Sequence, residues 1–172
     1  MRLISPSNAF KQSFKHFYSD LEQSAPERAE YYQESQINFE RYVQRLTNEE
    51  KGINLKPDYV PCHHFWFVDQ HNQILGCIRI RHNLGNDFLL MEAGHIGYDI
   101  APAFRGRGFG SMMLKLALPK AKQLNIDKAL ITADEDNIAS RKVIEANGGQ
   151  LESIITGTVF PYPIARYWVD CH

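Results

Sequence analysis

Between Arg105 and Ser111 the chain reads Arg-Gly-Arg-Gly-Phe-Gly-Ser, with three glycines in alternate positions and two arginines among them. Glycine leaves backbone N–H groups unscreened by side chains, and a helix beginning near Ser111 aims the positive end of its dipole at the same point. Such a turn holds an anion, and a phosphate suits it best. The lysine loop of nucleotide-hydrolysing proteins ends in Gly-Lys-Ser/Thr, whereas here Gly110 precedes Ser111 with no lysine. The dinucleotide fingerprint spaces its glycines GxGxxG at the head of a βαβ unit; here the spacing is GxGxG after an antiparallel hairpin. A glycine turn that only serves helix–strand packing is the remaining alternative.

The turn needs a strand before it and a helix after it. His95 to Ile100 is apolar enough for the strand. Met112, Met113, Leu116, Ala117 and Ala121 give the helix one apolar face ending near Asn125, with Pro119 expected to kink or shorten it. Ala129 to Ala133 then reads as a strand parallel to the first through a crossover. Asp134-Glu135-Asp136-Asn137 closes that strand and opens a further helix through Ser140, Val143 and Ile144, stopped at Asn147-Gly148-Gly149.

Upstream, Arg2 to Ile4 can form an edge strand. Phe10, Phe14, Phe17, Tyr18 and Leu21 predict an amphipathic helix over 8–23. Tyr31, Ile37, Phe39, Tyr42, Val43 and Leu46 predict a second helix from Pro26 to just before Gly52. His64 to Val68 and Ile74 to Ile80 flank Asp69-Gln70-His71-Asn72 as an antiparallel hairpin. Arg79 and Arg81 alternate with Ile78 and Ile80, on a face read as solvated in preference to lining a charged cleft. Leu151 to Val159 and Ala165 to Val169 are the last strands. This order predicts an α/β fold, a central mixed sheet flanked by helices and parallel in its middle.

At 172 residues the chain suits one domain, 1–172. A formal net charge of −1 and an isoelectric point near 6.6 leave no footprint for nucleic acid. No apolar run approaches the roughly 18 residues of a membrane span, and the N-terminus lacks a signal-peptide segment, so a cytoplasmic protein is expected. Cys62, Cys77 and Cys171 are odd in number and widely spaced, which argues against a disulfide framework. Cys62-His63-His64 lacks metal-ligand spacing, so no metal is expected.

Arg105-x-x-Gly108-x-Gly110 resembles the acyl-CoA pyrophosphate loop, Arg/Gln-x-x-Gly-x-Gly/Ala, of the GNAT superfamily of N-acetyltransferases. Asn137-x-x-Ser140 and the following Gly148-Gly149 are similar to that family's second CoA motif. The likeness covers most of the chain. Gly97 to Pro102 is similar to a segment of the ribosomal-protein acetyltransferase branch, and residues 60–170 look like an uncharacterised predicted-acetyltransferase group. The resemblance implies a GNAT-like acyl-CoA N-acyltransferase fold, with residues 1–60 on the acceptor side and 61–172 forming the CoA-binding core and C-terminal strands. It implies acetyl-CoA as co-substrate and transfer to a primary amine of a small molecule or peptide by direct attack in a ternary complex. A non-catalytic or regulatory CoA-binding domain is the alternative, and a homodimer is common in the superfamily.

Carried over residue by residue, the backbone N–H groups of Gly106, Arg107, Gly108, Phe109, Gly110 and Ser111 would wrap the pyrophosphate, with the charge of Arg105 or Arg107 at its rim. The strand Tyr98, Asp99, Ile100 would pair with the pantothenate arm, and an N–H near Tyr98 or Ile100 would face the oxyanion. Asn137 and Ser140 would meet the arm, or Asn137 would cap its helix. The family's usual thiolate-protonating tyrosine falls at Ile144, so Tyr98, Tyr162, Tyr167 or water must substitute. For the base, His95 stands where the ribosomal branch carries a glutamate, with Glu92 second. His95 reads equally well as a strand histidine satisfied by a neighbour. Tyr31, Tyr32, Glu34, Phe39 and Tyr162 would suit an amine pocket, or ordinary packing.

Overall fold

A computed structural model describes residues 1–172. One seven-stranded mixed sheet runs through it: β1 (Arg2–Ile4), β2 (Cys62–Val68), β3 (Ile74–Arg81), β4 (Ile96–Ile100), β5 (Lys128–Asp134), β6 (Gln150–Thr156) and β7 (Pro163–Asp170). Their spatial order is β1-β2-β3-β4-β5-β7-β6, antiparallel except for the central β4–β5 pair. The β2–β3 hairpin closes on Asp69, whose Oδ1 accepts from the N–H groups of His71 and Gln73, with Asn72 in the left-handed region.

Two apolar cores occupy the two faces. The first lies under α5 (Phe109–Gln123) and α6 (Ile138–Glu145) and includes Ile78, Ile80, Ile96, Met113, Ile131 and Ile144. Helix α5 buries Met113, Leu114, Ala117, Leu118 and Ala121, while Met112 and Leu116, expected inside, are exposed. It runs through Pro119 to Gln123 instead of stopping. Pro119 sits on its solvent side, where water can take the carbonyl that loses its amide partner.

The second core lies under α1 (Lys11–Ser24), α2 (Pro26–Ala29), α3 (Glu34–Ile37) and α4 (Phe39–Glu50). Phe14 is its hub, within 4.9 to 6.0 Å, centroid to centroid, of Phe17, Tyr32, Phe39, Tyr42 and Trp66. The single helix expected from Pro26 onward is broken. Asn38 adopts an extended conformation and its side chain accepts from the Arg41 N–H, starting α4 afresh, and Ile37 just before it is 81% exposed. Strand β6 ends at Thr156, short of Val159, because residues 157–160 turn to meet Glu92. No helix is long and apolar enough to cross a membrane.

Candidate active site

β4 and β5 share a single register partner, Ile96 with Ile131, and separate beyond it. At the start they are pinned. Gly94 approaches so closely that a Cβ there would lie 2.5 Å from the Leu130 carbonyl oxygen, and its φ of 65° is one a side chain resists. His95 completes the pin: its N–H donates to the Leu130 carbonyl at 2.7 Å, and its ring Nδ1 accepts the Leu130 N–H at 2.9 Å. From there the two strands form a V. The Ala101 N–H turns to Leu75 of β3, so alternation turns Tyr98 and Ile100 the other way, into the V.

At the open end of the V lies the glycine loop. Gly106 and Gly108 have φ of 74° and 76°, and Gly108 is the N-cap of α5, which therefore begins at Phe109, two residues before the expected start. None of the N–H groups of Gly106, Arg107, Gly108, Phe109, Gly110 and Ser111 donates to a backbone or side-chain acceptor, and a Cβ on Gly106 or Gly108 would meet nothing within 4 Å. Six free donors on an open face, at a helix N-terminus, form an anion cradle. Arg105 folds back, its Nε donating to the Ile100 carbonyl at 3.0 Å, which fixes the loop against the end of β4. Asn147 Nδ2 bridges the Ser111 carbonyl and Oγ to the Val143 carbonyl, locking the first turn of α5 to α6. Gly110 lets α6 close in, since its Cβ would stand 3.0 Å from Val143 Cγ2.

Of the residues expected to move protons, the structure brings Tyr98, Tyr162 and Glu92 to a cleft of about 360 Å³ beside the V, and leaves His95 off its lining. His95 is nearly buried, with Nδ1 already used, and burial with Arg81 nearby pushes its pKa down to about 4. Glu92 lines the cleft, yet its carboxylate accepts from the N–H groups of Thr158, Val159 and Phe160 and from Thr158 Oγ1, and those bonds hold its pKa below the usual carboxylate value. It anchors the loop 158–160, which walls the cleft. Tyr98 reaches across the V to Ser140, its hydroxyl 2.9 Å from Ser140 Oγ, and burial pushes its pKa up to about 12. Asn137 takes the capping role, accepting from the Ser140 N–H at 3.0 Å, while also lining the cleft. Ile144 is fully buried in the core, and Tyr167 is engaged with Arg141 and Glu145. The Asp99 side chain faces away from the V, toward the N-terminal helices, where it accepts from Arg28 Nε at 2.8 Å and Tyr32 Oη at 2.7 Å.

Arg79 and Arg81, expected on a solvated face, line this cleft instead, together with Asp134. Arg79 is not solvated: its guanidinium lies 4.3 Å from the Tyr31 ring centroid and would be 2.9 Å from a Cβ on Gly97. Asp134, at the end of β5, lines the cleft, and its carboxyl makes no ion pair and no hydrogen bond to another residue, only one with its own backbone N–H. Burial is the main force on its carboxyl and raises its pKa, against the pull of Arg28. Its signal in the sequence was the position itself, the first carboxylate after a strand that borders the glycine turn. Of the expected acceptor-wall residues, Tyr31 and Tyr162 line the cleft, Phe39 and Tyr32 are buried behind it, and Glu34 pairs with Arg45.

The pin role of His95 has a measurable consequence. His95→Ala leaves the Leu130 N–H unpaired and is expected to cost about 1–3 kcal/mol of stability. In the parent protein the unfolded chain takes up the ring proton near pH 6.5 but the folded chain only near 4, so stability falls as pH drops through that window. Thermal melts across the window should show a shallower fall for His95→Ala; an identical pH slope would remove the pin from the account.

A family model described as an acetyltransferase (GNAT) domain matches residues 11–150. No curated protein gives a significant match. Among solved structures, RimL, a ribosomal-protein alpha-N-acetyltransferase in complex with coenzyme A, superposes with a TM-score of 0.71 at 17% identity, covering 98% of this chain and 92% of that one. The microcin self-immunity acetyltransferase MccE, in complex with acetyl-CoA and AMP, superposes at 0.72 with 12% identity, covering 98% and 91%. A spermidine N-acetyltransferase SpeG mutant from Vibrio cholerae gives 0.61 at 15% identity, covering 99% and 95%.

Proposed function

This chain belongs to the GNAT acetyltransferase family, and on that premise we propose which of its residues carry acetyl transfer from acetyl-CoA to a primary amine. The observation that carries the assignment is the run of six unpartnered N–H groups, Gly106 to Ser111, set at the mouth of the β4–β5 V. These residues hold the pyrophosphate of acetyl-CoA. The N–H and carbonyl of Tyr98 and the N–H of Ile100, turned into the V, pair with the arm and face the reacting carbonyl. Acetyl-CoA supplies the activated acetyl group and a thiolate leaving group. Residues 1–60 wall the acceptor side.

Tyr98 serves as the acid in place of the family tyrosine lost at Ile144. Its raised pKa keeps the phenol protonated at neutral pH, and its hydroxyl sits inside the V on Ser140. Asp134 serves as the base, because it alone among the cleft acids combines a raised pKa with a carboxyl bonded to no other residue. Thiol release from acetyl-CoA over a panel of primary amines tests the transfer. Acetyl-CoA binding without thiol release for any amine would favour the non-catalytic alternative. Tyr98→Phe should lower kcat by about 10- to 100-fold while leaving the acetyl-CoA Kd within about twofold. An unchanged kcat would return the proton to water.

A further inference from the structure

Arg79 and Arg81 stand two residues apart on β3 and therefore project to the same face of the sheet, both onto the cleft. Arg79 is sandwiched. Tyr31 covers one side of its guanidinium, and the other lies flat over Gly97 of β4, in space that any side chain at that position would fill. The absent Cβ lets the group reach over β4 toward the V. Arg81 is braced from behind, its Nη1 donating to the carbonyls of Ala93 and Gly94 at 3.3 and 3.0 Å.

Arg79 shares its single carboxylate partner with Arg28, and Arg81 has none. Asp99 is the one buried acid beside them; it is bonded to Arg28 and Tyr32 and reaches Arg79 Nη1 only at 3.5 Å. Arg79 Nε is buried with no hydrogen-bond partner, and no other buried side-chain nitrogen or oxygen in the protein is left so. The remaining acids around the cleft are committed or distant. Glu49 is bonded to Arg45 and His64, Glu92 to the backbone of 158–160, Asp58 belongs to an exposed loop, and Asp134 stands across the V on β5. A rigid, stacked guanidinium with spare donors is built for the planar oxygens of a carboxylate or the oxygens of a phosphate.

We propose that the acceptor is a small amine that also carries an oxyanion, carboxylate or phosphate, which Arg79 and Arg81 hold over Gly97 while its nitrogen points across β4 into the V. This inference rests on the transferase reading and narrows its substrate. A cleft of about 360 Å³ suits a compact, amino-acid-sized molecule. A polyamine is the wrong ligand here, since its second cation would meet the arginines.

The test is a matched series of primary amines two to six carbons long, each as carboxylate, phosphonate and carboxamide, with diamines as the cationic arm. An oxyanion should raise kcat/KM at least about 30-fold over the carboxamide of the same length, and the carboxylate and phosphonate arms identify which oxyanion is used. In Arg79→Gln that preference should fall to within about threefold while acetyl-CoA affinity is kept, and Arg79→Lys should restore only part of it. Carboxamides or diamines turned over as well as the oxyanions by the parent protein overturn the proposal without any variant. The same series is also read as thermal shifts in the presence of CoA. Release of no thiol from any amine sinks the transferase reading, whereas equal shifts for oxyanion and carboxamide sink this one.

Discussion

Gly108→Val should bind acetyl-CoA at least about 100-fold more weakly than the parent while remaining folded. At φ of 76° a residue with a Cβ costs roughly 1–2 kcal/mol, and a β-branched one more, so relaxation of the strain turns the loop away from its donor arrangement. A side chain that stays in place instead covers the face on which the N–H groups of Gly106 to Ser111 are displayed. Either route disperses the cradle. Because a Cβ at Gly108 would meet nothing within 4 Å, the change has no core contact through which to unfold the protein. Gly148→Val is the matched control: it carries a φ of 83° with equal open space, but lies after α6 and outside the cradle. Titration calorimetry should show the loss for Gly108 alone. Equal losses in both variants would assign the effect to backbone strain, and retained affinity in Gly108→Val would remove the loop from the binding site.

The parts of this protein that were legible in its sequence are those whose physics is local. The glycine loop declares itself because left-handed backbone, free N–H groups and a helix start all fall within seven consecutive residues. Asn137 with Ser140 is likewise one helical turn, and the hairpin at Asp69 one tight turn. The groups that were not legible depend on contacts across the chain. Asp99 gathers Arg28 and Tyr32 from 71 and 67 residues away, and strand alternation alone could not say that the face bearing Arg79 is covered by helices. His95 looked like a base because its ordinary pKa suits one; its partner is the N–H of Leu130, 35 residues on, and no pattern marks a backbone donor. The break at Asn38 was hidden by apolar periodicity that continues through it, although Asn at the head of a helix is itself a start signal.

Asp134→Asn separates proton removal from everything else the cleft does. The amide keeps the size and most of the hydrogen-bonding capacity of the acid but cannot take a proton, and Asp134 makes no ion pair whose loss would disturb the fold. We expect kcat to fall by about 10²- to 10³-fold with the acetyl-CoA Kd unchanged. The pH profile sharpens the assignment. Activity through Asp134 needs its carboxylate, so in the parent protein kcat/KM rises with pH through a pKa above the ordinary 3.8, displaced upward chiefly by burial. In Asp134→Asn that limb is absent, and the rate instead climbs toward the pKa of the amine itself, about 10.4 for a lysine-like amine, as more of it arrives neutral. The deficit should therefore shrink with rising pH. Glu92→Gln is the contrasting variant: it weakens the anchor for residues 158–160, so it should raise the acceptor KM more than it lowers kcat. A constant ratio between the parent and Asp134→Asn at every pH would mean that the carboxylate positions the amine without accepting its proton.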